Sequence, residues 1–492
     1  MATLFLGLDV GTTTITAVAF DVAAGDLVAR ATLANTADCT PADRQAAGWS
    51  ELDLDRARAI VDAATRAVVA TLAERGQEQE LAGVGVTGQM HGVALLDAAG
   101  RAVRPAITWR DRRVAEPFAD GVSYLEELKR RAGPGAFQRT GCEPAAGYLG
   151  PSLFWLALHD ELRVQRVCSI PDAIVASLTG APATTDRTNA AGSGVFDVLA
   201  GAWDVGLLGH LGAPRAIFPP VHGAGTPVGH LTRAAADAWG LRAALPVGVA
   251  LGDHQASLLG SVGEPLETVH VNVGTGAQVS TVMEEFARVP GLDTRPFPGG
   301  RYLLTLAGLA GGRSLALLRD FFGQVGEQLF GARRSGDDLY HAMLGSAGAA
   351  PAGADGLTCT PLFAGTRQDP SLRGAFTGIS LDNFSPGYLA RALVEGVADN
   401  LAASYAELQP AAGPRHRLVG AGNGIRRNPL LADALAARFG LPLAMPVWEE
   451  EAAVGAALAA AVGTGALPDF AAAAARVRYR HSDGVIMERS GG

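Results

Sequence analysis

Two aspartates stand where short apolar strands give way to small polar residues. In "LDVGTTTITAV", residues 8–18, Asp9 ends a strand, and Gly11, Thr12, Thr13 and Thr14 follow before the chain turns apolar again. One carboxylate, a glycine that frees the backbone and three hydroxyls suit a phosphate with its magnesium ion. The plainer alternative is a polar hairpin, which needs only a turn signal. In "VGVALGDHQASLLGS", 247–261, Asp253 closes an apolar strand just after Gly252 and precedes a helix-like stretch. Such a carboxylate either faces a cleft or caps the helix, and capping is the commoner role.

Four glycine-rich turns follow apparent strands: Gly11-Thr12-Thr13, Gly274-Thr275-Gly276, Gly311-Gly312 and Gly420-Ala421-Gly422. Glycine lets backbone N–H groups converge on an anion, so the set favours a nucleotide over a series of tight turns. The chain has no G-x-G-x-x-G in a dinucleotide context and no G-x-x-x-x-G-K-[ST], which counts against the two commonest nucleotide folds. "GQMHG", 88–92, puts Gln89, Met90 and His91 on a loop between two strands, suited to a hydroxylated small molecule or to a histidine satisfied by backbone. "TWRDRR", 108–113, clusters Trp109, Arg110, Asp111, Arg112 and Arg113; the bland reading is a solvated ion-pair network.

The elements that must hold these residues come in two similar halves. "TVHVNVGTGAQVSTV", 268–282, repeats the opening pattern, with Val273-Gly274-Thr275 in the place of Val10-Gly11-Thr12. Period-two strands flank both copies, which predicts two α/β domains whose hairpin tips share a cleft. Residues 52–76 and 385–409 carry helical spacing, the second with Ser385 as N-cap and Pro386 at the first helical position. Residues 417–440 read strand, glycine turn, helix, while 286–301 and 345–356 read as loops. The domain boundary falls near 258.

Composition bounds the function. The chain has 492 residues, 48% of them hydrophobic, enough for two to four domains at roughly 150 residues each. A net charge of -9 with no basic run argues against nucleic acid or an anionic membrane as partner. The 4 cysteines, Cys39, Cys142, Cys168 and Cys359, form no CxxC pair, so neither zinc nor a disulfide framework is indicated. Asp9 interrupts the N-terminal apolar run, which speaks against a signal peptide, and the alanine-rich stretch 452–467 reads as a buried helix. These features suggest a cytoplasmic α/β protein.

Taken in order, "DVGTTT", "GQMHG", "TWRDRR", "GDHQAS", "NVGTG", "GAGNGIRRNPLLAD" and "EAAVGAALAA" resemble the FGGY family of carbohydrate kinases, within the actin-like superfamily. The family signature is present as "GAFTGISLDNFSPGYLARALVE", 374–395, departing at Tyr388. "GQMHG" and the Trp-x-Asp segment look like the ketose kinases. "LGDHQAS" and "TPLFAGTRQDPSLRG" look closer to sedoheptulokinases than to xylulokinases, with Thr366 in place of a usual glutamate and Arg112 in place of a usual glycine.

The resemblance implies two actin-like, ribonuclease H-like domains, each a mixed five-stranded sheet with flanking helices, around a central cleft. They would span 1–257 and 258–475, with a tail at 476–492. It implies ATP and Mg²⁺, a small sugar as substrate and a homodimer. Asp253 would be the base that takes the proton of the sugar hydroxyl. Gln89, Met90, His91 and His254 would line the sugar pocket, with Trp109 and Asp111 nearby. Asp9 would hold magnesium through water. Thr12, Thr13, Thr14, Gly274 and Thr275 would cradle the phosphates, and Gly311, Gly422, Asn423 and Asn428 would border the adenosine. An aspartate of ordinary pKa, about 4, is ionised at pH 7 and accepts a proton late in transfer.

The leading substrate is sedoheptulose, phosphorylated at O7, followed by D-xylulose, ribulose and other polyols. A nucleotide-driven chaperone or filament protein of the same superfamily is the reading from another class, but it leaves "GQMHG" without a task. An inactive sugar-binding homologue is the third, and both Asp9 and Asp253 argue against it.

Overall fold

The computed structural model describes residues 3–119, 121–162, 164–241, 245–366, 369, 371–481 and 486–487. The first sheet starts with the meander β1 (Leu4–Val10), β2 (Thr14–Asp21) and β3 (Asp26–Ala34). It continues with β4 (Leu81–Gly88), β5 (Pro227–His230), β6 (Pro246–Gly248) and the two-residue β7 (Leu251–Gly252). Its order is β5-β6-β4-β1-β2-β3, with β7 pairing β4 as well. The near-continuous apolar run of β1 reflects burial on both faces. Helix α1 (Leu54–Ala73) packs on β2 and β3, its start capped by the Asp53 carboxylate, which accepts the N–H groups of Asp55 and Arg56. Two short helices, α2 (Arg187–Ala191) and α3 (Asp253–Leu259), complete the site-bearing part of this lobe.

The second sheet contains β8 (Thr268–Val273), β9 (Ala277–Met283), β10 (Asp293–Phe297), β11 (Arg301–Leu309), β12 (Arg417–Ala421), β13 (Leu443–Pro446), β14 (Tyr479–His481) and β15 (Ile486–Met487). They run in the order β10-β11-β9-β8-β12-β13-β14-β15. Helices α4 (Gly312–Phe330), α5 (Gly336–Ala349), α6 (Pro386–Ala412) and α7 (Pro429–Phe439) flank it.

The duplication is visible strand by strand. In the first lobe β3-β2-β1-β4-β6, and in the second β11-β9-β8-β12-β13, each make an antiparallel meander continued by two parallel strands. These are the five-stranded cores expected. Edge strands extend them to seven and eight. One of those, β10, lies inside 286–301, which reads as loop because Pro296 and flanking glycines interrupt its pattern. Likewise α5 runs to Ala349, so the first part of 345–356 is helical. Ser385 occupies the N-cap of α6, but its side chain makes no capping hydrogen bond.

Helix α8 (Glu451–Gly463) is the buried helix foreseen at 452–467, and it crosses back to the first lobe. It packs on β1, β4 and α3. Two glycines permit this approach: a Cβ at Gly7 would lie 1.9 Å from Ala453 O, and one at Gly85 1.9 Å from Ala456 O. A single apolar cluster thus joins Phe5, Phe20 and Ala256 to Val282, Val419 and Val454. Trp448 strengthens it, edge-on to Phe20 at 5.1 Å with its indole N–H donated to Gly260 O at 2.8 Å. No helix of the described residues is long and apolar enough to cross a membrane.

Candidate active site

Both aspartates flank the C-terminal end of β4. Asp9 of β1 is in register with Thr87 on one side, and Leu251 of β7 is in register with Thr87 on the other, with Asp253 two residues on. Ends of neighbouring parallel strands are where open α/β sheets place ligands. Burial, then the Asp253 charge, pushes the Asp9 carboxyl up to about 7. Burial raises Asp253 to about 6 against the opposing pull of the His254 N–H and Arg295. Neither carboxyl therefore has the ordinary value of about 4 expected from residue type. Asp9 Oδ1 is sealed from solvent and has no hydrogen-bond partner. Two crowded carboxylates with an orphaned oxygen fit a divalent cation, which would relieve the repulsion.

Asp253 is the first residue of α3, and Gly252 occupies the N-cap, so capping is not its role. Its carboxylate accepts the N–H of His254 at 2.8 Å. Because β7 is so short, side chains hold the segment before it. Asn189 Nδ2 donates to Ala250 O at 3.0 Å and Thr87 Oγ1 to Leu251 O at 2.9 Å. Gly252 N–H donates to Thr188 Oγ1 at 2.8 Å, which in turn donates to the buried Asp186 carboxylate at 2.7 Å.

Around these carboxylates a cleft of about 1890 Å³ opens between the lobes. Met90, His91, Trp109 and His254 line it from the first lobe. His91 has φ of 73°, donates Nδ1–H to Gly192 O at 2.7 Å and stacks on Tyr148 at 4.0 Å. Trp109 donates Nε1–H to Thr12 Oγ1 at 2.9 Å, tying the 108–113 loop to the first glycine turn. Thr13 and Thr14 are exposed at that turn.

Gln89 and Asp111 do not line the cleft. Gln89 is 1% exposed beneath it. Asp111 is buried, accepting from Arg113 Nε at 2.8 Å and from Ser50 N at 2.8 Å, while Arg113 reaches Glu51 at 2.8 Å. This corrects two expectations: Asp111 and Arg113 form a buried ion-pair network while Trp109, Arg110 and Arg112 are exposed, and Asp111 shapes the loop from below instead of facing the cleft.

From the second lobe, Gly274 and Gly276 line the cleft, and Thr275 is exposed between them. A Cβ at Gly274 would meet nothing nearer than 3.9 Å, so this turn has open space in front of it. Gly311 and Gly422 are packed tightly against protein. A Cβ on Gly311 would lie 2.6 Å from Gly276 C, and one on Gly422, at φ 84°, would lie 2.6 Å from Asn272 Oδ1 and from Val273 O. They let α4 and the turn after β12 close on the β8–β9 hairpin. Gly312 N–H to Gly274 O and Arg313 N–H to Thr275 O, both 2.9 Å, complete the contact. Asn423 is exposed at that turn, and Asn428 is fully buried, capping α7 through Leu431 N–H at 3.1 Å.

Several cleft residues escape sequence reasoning. Arg295 and Asp293, paired at 2.8 Å on β10, reach the cleft from the second lobe. Tyr148 lines it too, and no motif marks it. Arg112 and Thr366, the two departures from the ketose-kinase pattern, both line the cleft. Among the described residues no group of three or more His, Cys, Asp or Glu forms a metal cluster.

Comparison with known proteins adds an independent line. Residues 4–260 match the model of the N-terminal domain of the FGGY family of carbohydrate kinases, and residues 271–464 match that of its C-terminal domain. The chain is 26% identical over 471 residues to a xylulose kinase of Staphylococcus xylosus, covering 93% of this chain and 90% of that one. It is 28% identical over 483 residues to the sedoheptulokinase of Homo sapiens, covering 92% and 96%. In structure it superposes on a xylulose kinase from Rhodospirillum rubrum with a TM-score of 0.83 at 27% identity, covering 99% of this chain and 94% of the other.

Proposed function

The chain belongs to the FGGY family of carbohydrate kinases, and on that premise we propose that it transfers the terminal phosphoryl group of ATP, with Mg²⁺, to a ketose hydroxyl. The family makes it a kinase acting on a carbohydrate. The observation that carries the finer assignment is the placement of Asp253 and Asp9 on either side of β4, at a cleft whose far wall is the open Gly274 turn.

Asp253 is the base: the acceptor O–H proton passes to its carboxylate as the sugar oxygen bonds to the terminal phosphorus and the bond to the bridging oxygen of ADP breaks. Because the transition state is loose, positioning and charge neutralisation do most of the work. Asp9 would hold the metal, which supplies charge neutralisation at the phosphates. Thr12, Thr13, Thr14, Gly274 and Thr275 offer hydroxyls and backbone N–H groups to phosphate oxygens. Met90, His91, Trp109 and His254 form the acceptor side.

Sedoheptulose, giving the 7-phosphate, is the leading acceptor, and D-xylulose or ribulose the alternative. The two named relatives divide between these sugars at nearly equal identity, so motif likeness alone supports the order. The test is ADP release over about a dozen ketoses and polyols, with and without EDTA. The expected result is metal-dependent release led by sedoheptulose. A lead for xylulose moves the assignment to the alternative. Release with peptide but with no sugar would establish the chaperone reading instead.

A further inference from the structure

A chain of three side chains runs from the second lobe to the residue beside Asp253. Thr305 on β11 and Ser280 on β9 stand directly opposite each other and are both buried. Thr305 Oγ1 donates to Val279 O at 3.2 Å. Ser280 Oγ lies 2.8 Å from Thr305 Oγ1, and His254 Nε2 lies 3.1 Å from Ser280 Oγ. Each hydroxyl has one proton to give. The Thr305 proton goes to the carbonyl, so the Ser280 proton goes to Thr305, and the remaining lone pair of Ser280 needs a donor. That donor is His254 Nε2–H. Burial, reinforced by Arg295, pushes the His254 pKa well below its ordinary range, so the ring is neutral and Nδ1 carries a lone pair. His254 lines the cleft, and among the described residues its ring bonds to protein through Nε2 and not through Nδ1.

We infer that Ser280 and Thr305 lock His254 in the Nε2–H tautomer, so that Nδ1 accepts a hydrogen bond from an acceptor hydroxyl neighbouring the one that Asp253 deprotonates. This rests on the kinase reading above. Ser280 and Thr305 are then positioning residues that select hydroxyl-bearing acceptors from two bonds away, across the lobe boundary. A site built to accept a hydroxyl proton rejects an analogue that lacks it.

Histidine-selective ¹⁵N labelling and long-range ¹H–¹⁵N correlation read the tautomer of His254 directly, with H254Q assigning its signal among the 10 histidines. The wild type is expected to carry the proton on Nε2. Thr305→Val removes the acceptor for the Ser280 proton, which then turns to His254 and flips it to Nδ1–H. The acceptor KM should rise about tenfold, with kcat and the nucleotide KM within about threefold, and Thr305→Ser should restore both tautomer and KM. A wild-type His254 protonated on Nδ1 overturns the inference, even if the valine variant does not fold. So does a flipped tautomer in T305V with an unchanged acceptor KM. Failure of the kinase reading looks different: no ADP release with any sugar from the wild-type protein.

Discussion

Asp9 and Asp253 sit on opposite sides of one strand, β4, and the charge of Asp253 adds to the burial that raises Asp9 to about 7. Two acids are thus held close enough to disfavour their joint ionisation, a cost that a bound cation or a transferred proton relieves. The placement destabilises the free protein at neutral pH, and that cost should be measurable.

Asp253→Asn keeps shape and removes the proposed proton acceptor. It is expected to bind nucleotide normally, to melt no lower than wild type and to lose kcat by at least about a hundredfold. Steady-state kinetics beside calorimetric nucleotide binding check this; near-normal turnover would take Asp253 out of the mechanism.

The pH dependence of stability follows from the same pair. A carboxyl with a folded pKa above its unfolded value binds a proton on folding. The metal-free protein therefore gains stability as pH falls through about 7 and about 6 toward the ordinary carboxylate range, and loses it as pH rises. Asp172 and Asp186, raised by burial to about 7 and about 6, act in the same direction. The difference between Asp9→Asn and wild type isolates the cleft pair. D9N should melt higher at pH 8, by ~1–2 °C per kcal/mol relieved, with the gap closing toward pH 5. Equal melting curves at pH 8 would refute the coupling.

Gly274→Ala and Gly422→Ala separate a phosphate cradle from a packing constraint. The first meets no protein atom within 3.4 Å, so its Tm should hold within about 1 °C while nucleotide affinity falls about tenfold or more. The second forces a Cβ against Asn272 and Val273 at positive φ and should lose about 1–3 kcal/mol of stability. Unchanged nucleotide affinity in G274A would leave that turn without a ligand.

Trp109→Phe deletes the indole N–H that reaches Thr12 at 2.9 Å while keeping an aromatic face on the cleft. Trp109 is 42% exposed, so stability should barely change. Loss of the link between the two loops should lower kcat/KM by about five- to tenfold. An unaltered kcat/KM would show that the contact does not serve turnover.

Arg112→Gly and Thr366→Glu restore the residues usual in ketose kinases at two cleft positions. If these side chains shape the acceptor site, the ratio of kcat/KM for sedoheptulose to that for xylulose should change by about threefold or more in at least one variant. A constant ratio in both would remove them from specificity.

Much of the site is legible because its residues sit on local patterns. The strand-then-glycine turns at Gly11 and Gly274 combine period-two burial with small residues, and both signals survive in a bare string. Asp253 is legible for the same reason, at the junction of an apolar run and a helix. What misleads is chemistry whose partners are remote in sequence. "TWRDRR" looks solvated until Glu51 and Ser50, some sixty positions earlier, bury Asp111 and Arg113. Strand β10 looks like loop because Pro296 and glycines mask a segment whose ladder partner is the later strand β11.

The chain by itself determined the two-fold repeat, the family resemblance and a set of cleft residues that includes Asp9, Met90, His91, Asp253, His254 and Gly274, because each depends on short stretches with their own periodicity and turn chemistry. Tertiary structure alone decided three things: that α8 returns to brace the first lobe, that Arg295 and Asp293 enter the cleft from the second lobe, and that Ser280 and Thr305 orient His254. The physical reason is common to all three. Close packing and hydrogen-bond direction depend on atoms brought together from distant positions, and no local pattern records which atoms those will be.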